Sequence, residues 1–404
     1  MLHRCIRGAV LAAAVLAAPA VLRAQNVTGT APFTDGSDGG FQVARSPALP
    51  AHLPTGTAGD AGFYAAGEFV MLTQTRAIGN QTIARRGFYD LTGEVTGGNG
   101  LLVGSGTEAL NPRNFSRQTW TPGFNVEIGY RFDDGTRIFA NYLQVYDAHY
   151  TQGASLVPPL YRTRLDLADT YISSPVFNFS SFFAGPSGKI PDLPDRVVYG
   201  IWNAAGQMDI KFTQRYQQAE FGARIPMFMS DYSRVYGIMG GRFGWFFERF
   251  YWRTVSFDQE GNATASDAAR YTNDLSQRMY GPMIGCGHEV FIADQFSLSL
   301  DLTGAALLNV VKMRAKYILE SEVTQSKWGR QTWRLTPNLN AAFNAWWYPV
   351  EGVQVRVGYQ AMSYYNTVYM IDPVGFDFGN IDPGYRFKAF RLVHGFNIGI
   401  GFFF

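Results

Sequence analysis

Charge is scarce in this chain. Only 16% of its 404 residues are Asp, Glu, Lys or Arg, against about a quarter in an ordinary soluble domain. The 34 basic and 32 acidic residues nearly cancel, leaving a formal net charge of +2 and no basic run. Nucleic-acid binding calls for a concentrated positive surface, so composition makes no case for it. Cysteine is scarcer still, with only Cys5 and Cys286. Cys5 falls in a segment expected to be cleaved away, so no intrachain disulfide is expected to staple the mature fold. Long apolar runs are also missing. After the N-terminus no stretch reaches the roughly 18 consecutive apolar residues of a helical membrane span, and none is expected.

What the chain does have is aromatic residues and glycine. It carries 32 Phe, 22 Tyr, 8 Trp and 44 Gly, with a mean hydropathy of −0.09. Apolar faces averaged against polar ones produce such a value. The N-terminus reads as a secretory signal: basic residues to Arg7, an Ala/Val/Leu run from Ala9 to Leu22, then Arg23-Ala24-Gln25. Cleavage is expected after Ala24, with Ala20 the alternative, so 1–24 is assigned as signal peptide. Residues 25–61 are poor in large apolar side chains and read as a flexible periplasmic leader, either a plain tether or a small binding segment.

From Gly62 onward the hydrophobic period is two, the strand period. Phe124, Val126, Ile128, Tyr130 and Phe132 alternate with Asn125, Glu127, Gly129, Arg131 and Asp133, and Asp134-Gly135 makes a hairpin turn. Phe296, Leu298, Leu300 and Leu302 alternate with Ser297, Ser299, Asp301 and Thr303. In the stretch 207–225 the first half is out of phase with the second, which predicts a bulge at 213–217. The connections alternate in length. The short ones fall at 133–136, 226–233, 293–295 and 349–352; the others are medium or long, and 77–121 and 151–206 are the longest. The last stretch, 387–404, sets Phe390, Leu392, Phe396, Ile398, Ile400, Phe402 and Phe404 on one face and Arg391, Gly395, Asn397, Gly399 and Gly401 on the other.

These features resemble the outer-membrane β-barrel superfamily, and the overall pattern is similar to the large-looped, pore-like barrels of planctomycete-type genomes. The resemblance implies an all-β fold: an antiparallel transmembrane barrel over 62–404, about ten strands (twelve or eight as alternatives), short periplasmic turns and long extracellular loops. It implies localisation in the outer membrane of a Gram-negative-type bacterium. Phe396, Ile398, Ile400, Phe402 and Phe404 would form the signal read by the barrel assembly machinery, with outer-membrane lipid as the other constant partner. Trp346, Trp347 and Tyr348 at one end, and Trp245, Phe250, Trp252, Tyr364, Tyr365 and Tyr369 at the other, are expected to form aromatic girdles.

Three functional readings follow. A porin-like or structural barrel would line its lumen with Glu127, Arg131, Arg137, Glu220, Asp301, Arg356 and Arg391; these mixed signs can pair to plug it or line a small path for ions or solutes. A surface-binding barrel would act on a ligand through loops 77–121 and 151–206. A rim hydrolase would use Asp147 and His149, two residues apart and so expected to share the inward face. That pair resembles the Asp-x-His pair of omptin-type proteases, although their partner Asp-x-Asp motif is missing. Cys286, His288 and Glu289 are too close along one strand to converge on a metal or form a nucleophile pair, and no cofactor motif is found.

Overall fold

In the computed structural model the strands close into one antiparallel ring of ten. The structure describes residues 61–404 apart from 91–96, 99–100, 118, 156–170, 184–188, 191–192, 198–200, 231, 258–260, 294 and 323–324. The expected signal peptide and nearly all of the leader therefore lie outside the described residues. The ring consists of β1 (Gly62–Gln74), β2 (Thr121–Arg131), β3 (Arg137–Ser155), β4 (Gln207–Met229), β5 (Ser233–Val255), β6 (Ala268–Ala293), β7 (Phe296–Leu319), β8 (Gln325–Val350), β9 (Val353–Asp372) and β10 (Gly384–Phe403). Each strand pairs with its neighbour in the chain. β1 closes the ring on β10, in register from Tyr64 opposite Phe403 to Gln74 opposite Val393. Closure leaves the sheet without a free edge at this level, the condition for strands to cross a bilayer.

The short connections sit at one end. In the β2–β3 turn the Asp134 carboxylate accepts from the Thr136 amide at 2.8 Å, and Gly135 takes a φ of 84° that a side chain would resist. Gly352, at φ 74°, does the same between β8 and β9. The expected 226–233 link is tighter than its sequence suggests, because β4 continues to Met229. At the other end lie the described residues of the connections between β1 and β2, β3 and β4, β5 and β6, and β9 and β10. The β7–β8 connection is shorter than expected: Tyr317 pairs with Ser326 and Lys316 with Lys327, so strand replaces loop.

The alternation is obeyed with one correction. β4 carries no extra residue at 213–217; its own register shift falls lower, between Pro226 and Phe228 against β5. Its even-numbered residues face inward without interruption from Met208 to Arg224. The extra residue sits instead on β3, where Ala148 pairs with Gln214 but Val145 pairs with Tyr216. The apparent phase change in β4 has another cause. Its upper inward residues, Ile210, Phe212 and Tyr216, are apolar because they meet a core inside the ring, while its lower apolar residues, such as Phe221 and Ile225, face out.

Candidate functional site

The lumen changes character along its length. At the short-turn end it is lined by charge held in pairs. Arg224 grips Glu127 with both nitrogens, at 2.6 and 3.2 Å, and the Tyr64 hydroxyl donates to the same carboxylate at 3.1 Å. Glu289 accepts from Arg234 at 2.8 Å, from Ser297 at 2.6 Å and from Tyr348 at 3.0 Å. Arg242 donates to Glu220 at 2.6 Å and to Thr303 at 2.7 Å. Arg356 is ion-paired to Glu68, and its guanidinium lies 5.1 Å from the Trp346 ring. Asp301 accepts from the Tyr236 hydroxyl at 2.5 Å. Among these groups are two cavities of about 60 and 100 Å³. Removing either partner would strand a charge in a confined space, so each pair holds the other in place.

Above this layer the lumen is shut by aromatic side chains. The Tyr216 and Tyr364 hydroxyls meet at 2.6 Å, one donating to the other, and Gln218 Oε1, 2.6 and 3.0 Å from them, accepts from the second. Phe246 packs on both rings, at 4.9 and 5.1 Å between centroids. Val70, Leu72, Leu143, Met279, Leu307, Met362 and Val393 complete a septum of fully buried residues. One further ion pair crosses just above it. Arg391 binds Glu248 through both nitrogens, the second at 2.8 Å, and Gln214 donates to the same carboxylate at 2.9 Å. Gln277 both donates to and accepts from the Val368 backbone at 2.9 Å, tying β6 across the lumen to β9.

The loop end is filled by an apolar cap. Trp202 and Phe378, from two different loops, meet at 5.0 Å between ring centroids; Trp202 also packs on Trp252 at 4.6 Å. Phe378 stacks on Tyr317 at 4.5 Å and on Tyr271 at 5.7 Å. Ile83, Leu110, Phe115, Ile172 and Phe183 pack into the same core. The loops are pinned by hydrogen bonds to the wall: Thr254 to the Ile201 carbonyl at 2.8 Å, Asn273 to the Pro373 carbonyl at 2.9 Å. Gln81 pairs reciprocally with the Val374 backbone at 2.7 and 3.0 Å. Glu108 gathers Thr82 at 2.7 Å, Asn111 at 2.8 Å and Arg113 at 2.8 Å. Burial works against the charge on Glu108, but the hydrogen bonds from Asn111 and Thr82 and the Arg113 guanidinium outweigh it and hold its carboxyl below the usual carboxylate range.

All seven residues named from sequence as lumen-lining stand on the inner face: Glu127, Arg131, Arg137, Glu220, Asp301, Arg356 and Arg391. Six partners were missed: Glu68, Arg224, Arg234, Arg242, Glu248 and Glu289. Arg224 continues the inward face of β4 that Glu220 marks. The others could have been reached by carrying each strand's alternation through its aromatic stretches, where both faces are apolar and the pattern fades. The girdle residues need correction. Phe250, Trp252, Tyr364 and Tyr348 are buried inside, whereas Trp347 and Tyr365 face out, at 43% and 39% exposure. Trp347 stacks on Phe296 at the short-turn end.

Asp147 and His149 do not share the lumen. The β3 bulge turns both to the outer face, where Asp147 takes Arg215 in a bidentate pair at 2.6 and 2.9 Å and His149 meets Thr213 at 3.2 Å. Cys286 is exposed on the outside, His288 is bonded to Ser233 at 2.8 Å, and Glu289 points inward, so the three do not converge. Phe396, Ile398, Ile400, Phe402 and Phe404 are all outward and exposed.

A family model described as "Legionella pneumophila major outer membrane protein precursor" matches residues 107–379, more than half of the chain. No curated protein matches. Among solved structures, the outer membrane protease OmpT of Escherichia coli is similar at 11% identity over 85% of this chain and 97% of its own, with a TM-score of 0.41. A Pseudomonas aeruginosa FadL homologue is similar at 8% identity over 88% of this chain and 96% of its own, with a TM-score of 0.22. The Pseudomonas putida toluene transporter TodX is similar at 7% identity over 89% of this chain and 92% of its own, with a TM-score of 0.27.

Proposed function

The chain belongs to the family of the Legionella pneumophila major outer membrane protein precursor and is an outer-membrane β-barrel; from that premise we propose a porin-like barrel held shut by its own side chains and loops. The observation that carries this reading is the order of layers in the lumen: paired charge below, the Tyr216–Phe246–Tyr364 septum in the middle, the apolar cap above. Confined charges of both signs suit water and small ions. Cavities of about 60 and 100 Å³ hold only a few waters, each taking roughly 30 Å³ in the liquid. Passage of a solute requires the septum rings to part and the cap to lift. Because lumen carboxylates are matched with guanidiniums, the opened path should discriminate weakly between anions and cations.

Single-channel recording in planar bilayers tests this. The wild-type barrel should show no steps at low voltage. The Tyr216→Ala/Phe246→Ala variant combined with removal of the 373–383 loop should show them, with weak charge selectivity. Large steady steps from the wild type would overturn the closed state. Silence from a folded variant would overturn the porin-like reading and leave a structural barrel. A surface-binding role is a second reading, favoured by Phe177 and Phe182, which stand 53% and 65% exposed on the loops. Unchanged adhesion to host or bacterial cells after Phe177→Ser/Phe182→Ser would remove it.

A further inference from the structure

The outer face of the β7–β8 hairpin changes chemistry abruptly along its length. From the short-turn end, the outward residues of β7 run Phe296, Leu298, Leu300, Leu302, Gly304, Ala306, Leu308 and Val310 and then, without transition, Lys312, Arg314 and Lys316. On β8 the same level is marked by Trp333, opposite Val310 and 60% exposed, with Lys327 farther up opposite Lys316. An exposed Trp is the side chain favoured at the lipid–water interface. The cations therefore begin where the hydrocarbon ends, on the extracellular side. At about 3.4 Å per residue they form a ladder roughly 14 Å long.

Their lack of partners sets these cations apart. On the neighbouring strands, rim arginines are matched with acids: Arg249 with Asp274 at 2.6 Å, Arg253 with Glu320 at 2.5 Å, Arg270 with Glu322 at 2.5 Å, Arg215 with Asp147 at 2.6 Å. Lys312, Arg314, Lys316 and Lys327 make no ion pair among the described residues, and the carboxylate that faces Arg314 across the strands, Asp274, is taken by Arg249. Like charges stacked two residues apart on one strand face repel one another. A repulsive ladder at the head-group level calls for an anion from outside the chain.

We propose that this ladder binds the phosphate groups of a phosphorylated glycolipid in the outer leaflet, with Trp333 and Leu335 against its acyl chains. Two oxygens of a tetrahedral phosphate ester are held by the planar Arg314 guanidinium through paired donors, while the lysines act as point charges on either side. The lipid is favoured over a soluble anion because the apolar wall directly beneath, with Leu308 and Leu335 exposed at 47% and 60%, is continuous with the ladder. The site is independent of whether the lumen conducts.

The test uses the full-length barrel in detergent, offered bis-phosphorylated lipid A and read by native mass spectrometry. The wild type should retain the lipid, and Lys312→Gln/Arg314→Gln/Lys316→Gln should lose at least tenfold in affinity while its heat-modifiable migration is unchanged. Dephosphorylated lipid should bind the wild type as weakly as the variant binds the phosphorylated form. The assignment fails if the dephosphorylated lipid binds equally well, if the triple variant retains wild-type affinity, or if Arg386→Gln/Lys388→Gln at the β10 rim abolishes binding instead. Displacement by millimolar inorganic phosphate would reveal a simple anion site and overturn the lipid. Should the triple variant fail to fold, the comparison of the two lipids on the wild type decides alone.

Discussion

The two ends of the lumen face the same constraint and meet it in opposite ways. Inside a narrow ring an inward side chain needs a partner, because the space around it is confined. At the short-turn end the partners are other strand residues, so the inward positions are charged and matched: Glu127 with Arg224, Glu289 with Arg234, Glu220 with Arg242. At the loop end the partners are the loops themselves, and the inward positions become Phe212, Phe250, Trp252, Tyr271 and Tyr317. One strand can therefore be polar inward below and apolar inward above, as β4 is, without changing register. Inward does not mean polar; it means complementary to whatever fills that part of the lumen.

The sharpest way to break this comparison is to remove one member of a buried pair at each level. Arg391→Met leaves Glu248 uncompensated beside the septum, with side chains 2% and 1% exposed, and should cost about 3–5 kcal/mol. Arg224→Met, next to the lower cavities, should cost clearly less if water enters them and solvates Glu127. Urea unfolding in micelles would measure both; equal losses would deny that the levels differ in hydration. The double replacement Arg391→Met/Glu248→Leu should recover most of the loss, because an apolar pair suits the septum.

Next in size is the outer wall. Ile398→Lys puts a charge on an exposed outward position and should cost about 2–4 kcal/mol if that position lies at the bilayer midplane. The inward neighbour Asn397→Lys should change stability by less. A reversal of that order would mean that the faces of β10 are assigned wrongly. Removing Phe404 should lower the yield of assembled barrel in the outer membrane without blocking export; normal yield would end its assembly role.

A smaller effect is expected from pH. Glu108, held below the usual carboxylate range in the folded loops, stabilises the cap above its unfolded value of about 4.3. That contribution is lost as pH falls through its lower folded value. Glu320 is also held down, first by its hydrogen bond from Arg253, and follows the same sign. Hydrogen-exchange protection factors in residues 79–90 and 105–115, taken relative to the intrinsic rate at each pH, should therefore fall below about pH 4 and remain constant from pH 5 to 8. Loss of protection on raising the pH would contradict the sign.

Much of the fold was legible in the sequence because β2, β7 and β10 set apolar and polar residues in clean alternation, and because Asp134-Gly135 and Gly352 mark turns that few other residues allow. Ring closure between β1 and β10 followed from an even series of strands. The upper lumen was not legible. Trp252 looks the same in a girdle as in a core, and only the loop residue packed on it, Trp202, which itself meets Phe378, tells the two apart. Asp147 and His149 were misplaced because one extra residue on β3 turns them outward, and no local signal marks that bulge. The charged lumen was half legible: single inward charges could be read strand by strand, but their partners stand on strands far away in the chain.

The central claim is that the lumen is wet below the septum and dry above it. Thiol labelling with a small water-soluble reagent tests it most directly, in a Cys286→Ser background that clears the outer wall. Asn141→Cys, beside the lower cavity, should react within minutes. Leu275→Cys, fully buried in the cap, should stay unreactive until the protein is unfolded. Equal labelling of both positions in the folded barrel would show an open lumen and contradict the account.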